Sequence, residues 1–266
     1  MSLIISSTAL FNTFSLQPVN AQRVCDNQIT QSAGNALPVI LLHGYKEPAG
    51  VWELWEHRLA EDNIPFCTVT FDFSDDKCGS AMAHATELGA IIEEVKRATS
   101  SDQVNIVAHS KGGLDARDYL SSTDSSDVAN LIMIGTPNGG GPIADFIISI
   151  NIFNPALYYP SHILCTPALH DLETNADILD VAQNPHTNYY TIYGNWQPGL
   201  PCREKGSEDD GYDYLARNGP IPNDGIVPVW SSEALGDHVN LGSTTHCHTE
   251  LLNNDEYNLS QSVLLP

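Results

Sequence analysis

Basic residues are scarce in this chain: 11 Lys and Arg stand against 33 Asp and Glu in 266 residues, a formal charge of −22 at pH 7. Such a balance repels phosphate groups and argues against nucleic acid or an anionic membrane surface as a partner. No acidic block is long enough to form a tail. The densest group, Glu208-Asp209-Asp210 with Asp213, sits among Gly and Tyr and is expected to be a surface loop. Charge is missing altogether from residues 1–21, which open Leu3-Ile4-Ile5 and close Val19-Asn20-Ala21. Small residues at the last and third-last positions match a signal-peptidase site, so the expectation is a signal peptide, or else a disordered N-terminal arm. The stretch lacks the basic start of a usual leader. Export would leave a mature chain beginning at Gln22 or Arg23. Beyond it no run approaches the roughly 18 unbroken apolar residues of a membrane span. CxxC pairs are also absent, which argues against a zinc ribbon or a thioredoxin-type site. There is no internal repeat and no low-complexity tract.

What remains is a chain with 42% hydrophobic residues, enough to bury a large core in one α/β domain over residues 22–266. Its six cysteines, Cys25, Cys67, Cys78, Cys165, Cys202 and Cys247, all follow the proposed cleavage point. An even count suits disulfides in an oxidising compartment, with the pairing left open and buried free thiols as the alternative. Strand-like apolar segments lie at Val39 to Leu42, Thr68 to Phe73, Val104 to Ala108, Leu131 to Ile134, Tyr189 to Tyr193 and Val239 to Leu241. Helix-like stretches at Val51 to Glu61, Ala81 to Thr99 and Gly112 to Leu120 fall between them. Alternation of this kind predicts a mostly parallel, doubly wound sheet with helices on both faces and functional residues along its carboxyl edge. Residues 139–170 break the pattern: three glycines, then an apolar, proline-containing stretch expected to form a cap, fixed or mobile.

The chemistry centres on Ala108-His109-Ser110-Lys111-Gly112, where a β-branched strand ends in a small-x-Ser-x-small turn and a helix begins. This is the pattern of a nucleophile elbow, which lifts the Ser110 hydroxyl above the sheet. A serine needs a base, and the base needs an acid. In this fold type the order is nucleophile, acid, histidine. Asp224, in Asn223-Asp224-Gly225-Ile226-Val227-Pro228, is the expected acid, with Asp210, Asp213 and Asp237 as competitors. Thr245-His246-Cys247-His248 lies just beyond the last strand, and His248 is preferred to His246 because the helix-like run from Leu251 to Tyr257 anchors its loop. His57 and His84 read as helix-surface residues, His162, His170 and His186 as cap or loop residues, and His109 as packing beside Ser110. An oxyanion hole needs two convergent amides. Lys111 supplies the first and Tyr45, after Leu42-His43-Gly44, the second, while its side chain is free to line an acyl pocket. His43 is expected to hold this loop.

Val39 to Gly44, Val104 to Gly113, Ile134-Gly135-Thr136-Pro137 with Asp145-Phe146, Asn223 to Pro228, and the His248-Thr249-Glu250-Leu251-Leu252 tail together resemble the secreted bacterial lipases of the α/β-hydrolase fold. The resemblance implies ester hydrolysis through an acyl-enzyme, with Ser110 as nucleophile, Asp224 as acid, His248 as base and the amides of Tyr45 and Lys111 as oxyanion hole. It also implies a lid where the apolar insert follows Thr136-Pro137. No cofactor and no catalytic metal are implied; Glu250 stands where some relatives hold a structural calcium. Ala108 replaces the family's usual first glycine, and Asn138-Gly139-Gly140-Gly141 is richer in glycine than its usual stretch. The expected substrate is a lipid-like or medium-to-long-chain ester, with transient contact at a lipid interface. An acyltransferase or a polyester depolymerase using the same triad, and an inactive hydrolase fold that binds a lipid or a partner, are the alternatives.

Overall fold

A computed structural model describes residues 25, 29, 35–71, 78–153, 165–202, 205–217 and 221–266. Expected features at residues 1–21, 72–73 and 154–164, including His162 and the middle of the cap, lie outside the described residues.

Six parallel strands form one sheet in the order β2-β1-β3-β4-β5-β6. They are β1 Val39–Leu42, β2 Phe66–Val69, β3 Val104–His109, β4 Val128–Ile134, β5 Asn188–Gly194 and β6 Val239–Thr244. Among the described residues the α-helices are α1 Glu53–Glu61, α2 Ala81–Thr99, α3 Lys111–Ser121, α4 Pro142–Phe153, α5 Thr166–His170, α6 Lys205–Ala216, α7 Val229–Ser232 and α8 Asn254–Leu264. This is the expected α/β architecture. Every residue of β1 and β3 is buried, as continuous apolar strands covered on both faces must be. One face carries Ile40, Leu42, Val104, Ile106 and Ala108 into a core shared with α2 and α3; the other carries Val39, Leu41 and Val107 toward Trp52, Trp55 and Tyr257. The aromatic trio meets edge to face, with centroids 5.6 and 5.0 Å apart, an arrangement favoured by ring quadrupoles. Because β1 connects outward to β2 and β3 connects outward to β4, the loops leaving β1 and β3 part in opposite directions. The crevice at their carboxyl ends is where a doubly wound sheet places its ligand.

Three expectations need correction. Strand β2 runs Phe66–Val69 instead of Thr68 to Phe73, because its only described partner is the four-residue β1, whose Val39 pairs with Phe66. The acidic group Glu208 to Asp213 is part of helix α6, not a loop. Carboxylates early in a helix are favoured by its positive N-terminal end, and Tyr212 and Tyr214 pack against Trp196 and Phe146 at centroid distances of 6.1 and 4.7 Å. His84 is not on the surface: spaced with Ala81, Ala85, Leu88 and Ile92, it belongs to the buried stripe of α2 and stacks on Phe71 with centroids 4.3 Å apart.

The six cysteines form three disulfides, Cys25–Cys67, Cys78–Cys165 and Cys202–Cys247. The last ties the stretch after β5 to the residue just before His248; the second ties the approach to α2 to the start of α5. Among the described residues no helix is long and apolar enough to cross a membrane.

Candidate active site

Ser110 sits between β3 and α3 with φ 51° and ψ −126°, a strained turn that a side-chain-bearing residue adopts only when its surroundings impose it. The surroundings are tight. Ser110 N–H donates to the Ile134 carbonyl at 2.9 Å, and Gly113 N–H donates back to the Ser110 carbonyl at 3.1 Å. A Cβ built on Gly44 would come within 2.8 Å of the Ser110 Cβ, so only glycine lets the loop after β1 lie against the elbow.

From this position Ser110 Oγ lies 2.9 Å from His248 Nε2, and His248 Nδ1 lies 2.8 Å from Asp224 Oδ2. All three groups are buried. The carboxylate can only accept, so His248 Nδ1–H donates to it, which leaves Nε2 to accept from the Ser110 hydroxyl. Asp224 is itself held firmly. Its Oδ1 accepts from Ile226 N–H at 2.9 Å and Val227 N–H at 2.7 Å, while Asn223 Oδ1 caps the turn through Gly225 N–H at 2.8 Å. The Asn223-Asp224-Gly225 turn therefore works as a bracket, with one carboxylate oxygen tied to the backbone and the other aimed at the imidazole. The His248 main chain is fixed as well, its N–H donating to the Asp224 carbonyl at 2.9 Å. Gly135, at φ 59°, passes so near that a Cβ there would lie 3.3 Å from His248 Nδ1.

The rival His246 points elsewhere. Its Nδ1 meets Glu256 Oε1 at 2.8 Å, and the fully buried Glu256 also accepts from Thr244 Oγ1 at 2.6 Å and Asn253 N–H at 3.2 Å. Glu256 thus pins both ends of the histidine loop to α8, and His246 is one strut of that anchor. Asp210, Asp213 and Asp237 make no hydrogen bond to His248 among the described contacts.

Lys111 opens α3 directly after Ser110, which puts its amide in the first turn, at the positive end of a helix. Its ammonium is buried 2.5 Å from Asp115 and 3.6 Å from Asp171. Asp115 also meets His84 Nδ1 at 2.9 Å. Burial pushes the Asp115 carboxyl up, but the Lys111 charge and the His84 hydrogen bond pull it further down, and it stays below the usual carboxylate range. Through Asp171, which accepts from Ala81 N–H at 2.6 Å, this network joins the elbow helix to the segment that follows α5. None of this was visible in the sequence, where Lys111 and Asp115 are ordinary helix residues four apart; the missing signal is burial. In the loop after β1, Gly44 N–H donates to Glu47 Oε2 at 2.7 Å, and Tyr45, the expected second oxyanion donor, follows it directly. The Tyr45 side chain packs against the cluster of Ala144 and Ile148 of α4 and Leu169 of α5, and burial pushes its phenol up to about 12. His43, buried at the end of β1, places Nδ1 2.9 Å from the Gly44 carbonyl; burial holds its imidazole below the ordinary value.

A model of the palmitoyl protein thioesterase family matches residues 38–190. A triacylglycerol lipase of Pseudarthrobacter phenanthrenivorans is 31% identical over 124 residues, 43% of this chain and 37% of that one. Triacylglycerol lipase 2 of Saccharomyces cerevisiae is 35% identical over 166 residues, 58% of this chain and 49% of that one. The chain thus spans less than half the length of these curated relatives. Among solved structures, a mature Bacillus licheniformis lipase superposes with a TM-score of 0.69 at 20% identity, over 90% of this chain and 96% of that one. A metagenomic carboxyl esterase gives 0.63 at 15% identity, over 88% of this chain and 76% of that one. At these identities the likeness to the two structures is one of fold.

Proposed function

The chain belongs to the palmitoyl protein thioesterase family, and from that premise we propose that it is a serine ester hydrolase acting through an acyl-enzyme. Ser110 Oγ attacks the acyl carbonyl carbon while His248 Nε2 takes the hydroxyl proton; Asp224 orients the imidazole and stabilises the imidazolium that forms. Negative charge moves onto the former carbonyl oxygen, where the amides of Lys111 and Tyr45 receive it. His248 then protonates the departing alcohol or thiol. In the second half a water molecule, deprotonated by His248, attacks the acyl-serine and releases the acid and the free hydroxyl. The observation that carries this reading is the continuous chain Ser110–His248–Asp224, with links of 2.9 and 2.8 Å at the carboxyl edge of a parallel sheet.

The substrate class is inferred from the apolar cluster that Tyr45, next to the elbow-facing Gly44, packs against. Ala144, Ile148 and Leu169 are buried together with Tyr45 packed against them, while Phe146 and Ile150 of the same helix α4 are exposed and offer an acyl chain an apolar surface. We therefore assign medium-to-long acyl chains as the substrate class and the helices bordering residues 154–164 as the cap that covers them. Three disulfides support an oxidising compartment, in keeping with export. A series of p-nitrophenyl esters from two to sixteen carbons, run beside a palmitoyl thioester, tests the assignment. The expected result is kcat/KM rising with chain length by about tenfold or more, since each buried methylene contributes about 0.8 kcal/mol before losses. A maximum at acetate would contradict it.

A further inference from the structure

Glu47 and His109 take no part in those steps, yet the site is built around them. His109 is 1% exposed and Glu47 19%. Glu47 Oε2 accepts twice, from Gly44 N–H at 2.7 Å and from His109 Nδ1 at 2.8 Å. The other ring nitrogen, Nε2, lies 3.1 Å from the main-chain carbonyl oxygen of His248. Both ring nitrogens of His109 thus face oxygens, one on the Glu47 carboxylate and one on the His248 main chain, so the ring bridges the two segments. Burial would push the Glu47 carboxyl up; the charge and hydrogen bond of His109, the charge of His248 and the Gly44 amide outweigh it and hold it at about 2.

These bonds run in one line, Gly44 to Glu47 to His109 to His248. They join the loop after β1, the last residue of β3 and the loop after β6, three segments that touch near the site. The sheet and its two cores do not depend on them. A buried ion pair adds little net stability when an apolar pair could replace it, so a structural role alone does not account for the placement. The charge arrangement also matters: the His109 ring lies 4.8 Å from that of His248, centroid to centroid. When His248 takes the Ser110 proton, the largely buried Glu47 carboxylate on the far side of the His109 ring favours the new charge.

We propose that Glu47 and His109 are positioning residues, a buried pair that holds the Gly44-Tyr45 oxyanion loop and the His248 loop in register across Ser110. The inference rests on the assignment of Ser110 as nucleophile. Because the pair acts on geometry reached in the transition state, its loss lowers kcat and leaves KM nearly alone.

The experiment compares Glu47→Gln, His109→Gln and the double variant with the parent protein on one p-nitrophenyl ester, with Tm measured in parallel. Each single variant is expected to lose about tenfold or more in kcat, with KM within about twofold. The double variant is expected to be no worse than the poorer single, because the two side chains form one unit. Glu47→Asp, which keeps the charge but loses one methylene of reach, is also expected to lose kcat. Parental kcat in all three single variants, a multiplicative loss in the double variant, or activity that falls only in step with Tm overturns the pair's role. Ser110→Ala run alongside separates the two claims: activity surviving there overturns the nucleophile, whereas its loss there with parental kcat in the pair variants overturns only the present inference.

Discussion

Ser110→Ala is expected to lower kcat by roughly 10⁵ to 10⁶ while leaving the fold intact. The size follows from what the hydroxyl does, since without Oγ no acyl-enzyme forms and His248 has no proton to take. What persists is the contribution of the oxyanion amides and of binding, which in such sites leaves about 10³ to 10⁴ over water. Stability should hardly move. Among the described residues the hydroxyl's hydrogen bond is to His248, and alanine meets the same strained turn at φ 51° that serine does. A loss of about 1 kcal/mol would shift Tm by only about 2–4 °C in a chain of this size. Turnover by initial rate and Tm by calorimetry, on the same preparation, check both halves of the expectation.

Asp224→Asn has the second-largest expected effect, a fall of about 10⁴ in kcat with little change in KM. The argument turns on which hydrogen goes where. In the parent protein Oδ1 accepts from Ile226 and Val227 while Oδ2 accepts from His248 Nδ1–H. Asparagine must keep its carbonyl oxygen on the two amides, which have nothing else to donate to there, so it turns its NH₂ toward the imidazole. Nδ1 must then accept, the hydrogen moves to Nε2, and the nitrogen facing Ser110 can no longer act as a base. The backbone bracket around residue 224 survives, so the protein still folds and still binds ester. A kcat within tenfold of the parent value would show that Asp224 does not orient the base.

The fold was legible because its central strands β1 and β3 are buried along their whole length and appear as apolar runs; β1, β3 and β5 can be read almost to the residue. β6 was shortened in the reading, since Gly242, Ser243 and Thr244 carry no apolar signal while their pairing with β5 continues to Thr244. The acidic start of α6 was lost to its composition. Glycine and carboxylates suggest a loop until Tyr212 and Tyr214 are seen to pack. Ser110, Asp224 and His248 could each be picked out because each sits in a tight local pattern: a strand-to-helix turn, an Asn-Asp-Gly bracket, a loop anchored by α8. Glu47, Asp115, His84 and Asp171 could not. Their importance comes from burial and from partners 62, 31 and 90 residues away, and no local pattern records it.

The central claim is that one serine, activated by one histidine, is the nucleophile of this chain, and covalent capture tests it without any assumption about the natural substrate. The folded protein is treated with a fluorophosphonate, digested and mapped by mass spectrometry. The account predicts one adduct per chain, on Ser110, absent after denaturation and strongly slowed in His248→Ala. No adduct on the folded protein, or an adduct on any other residue, would contradict it.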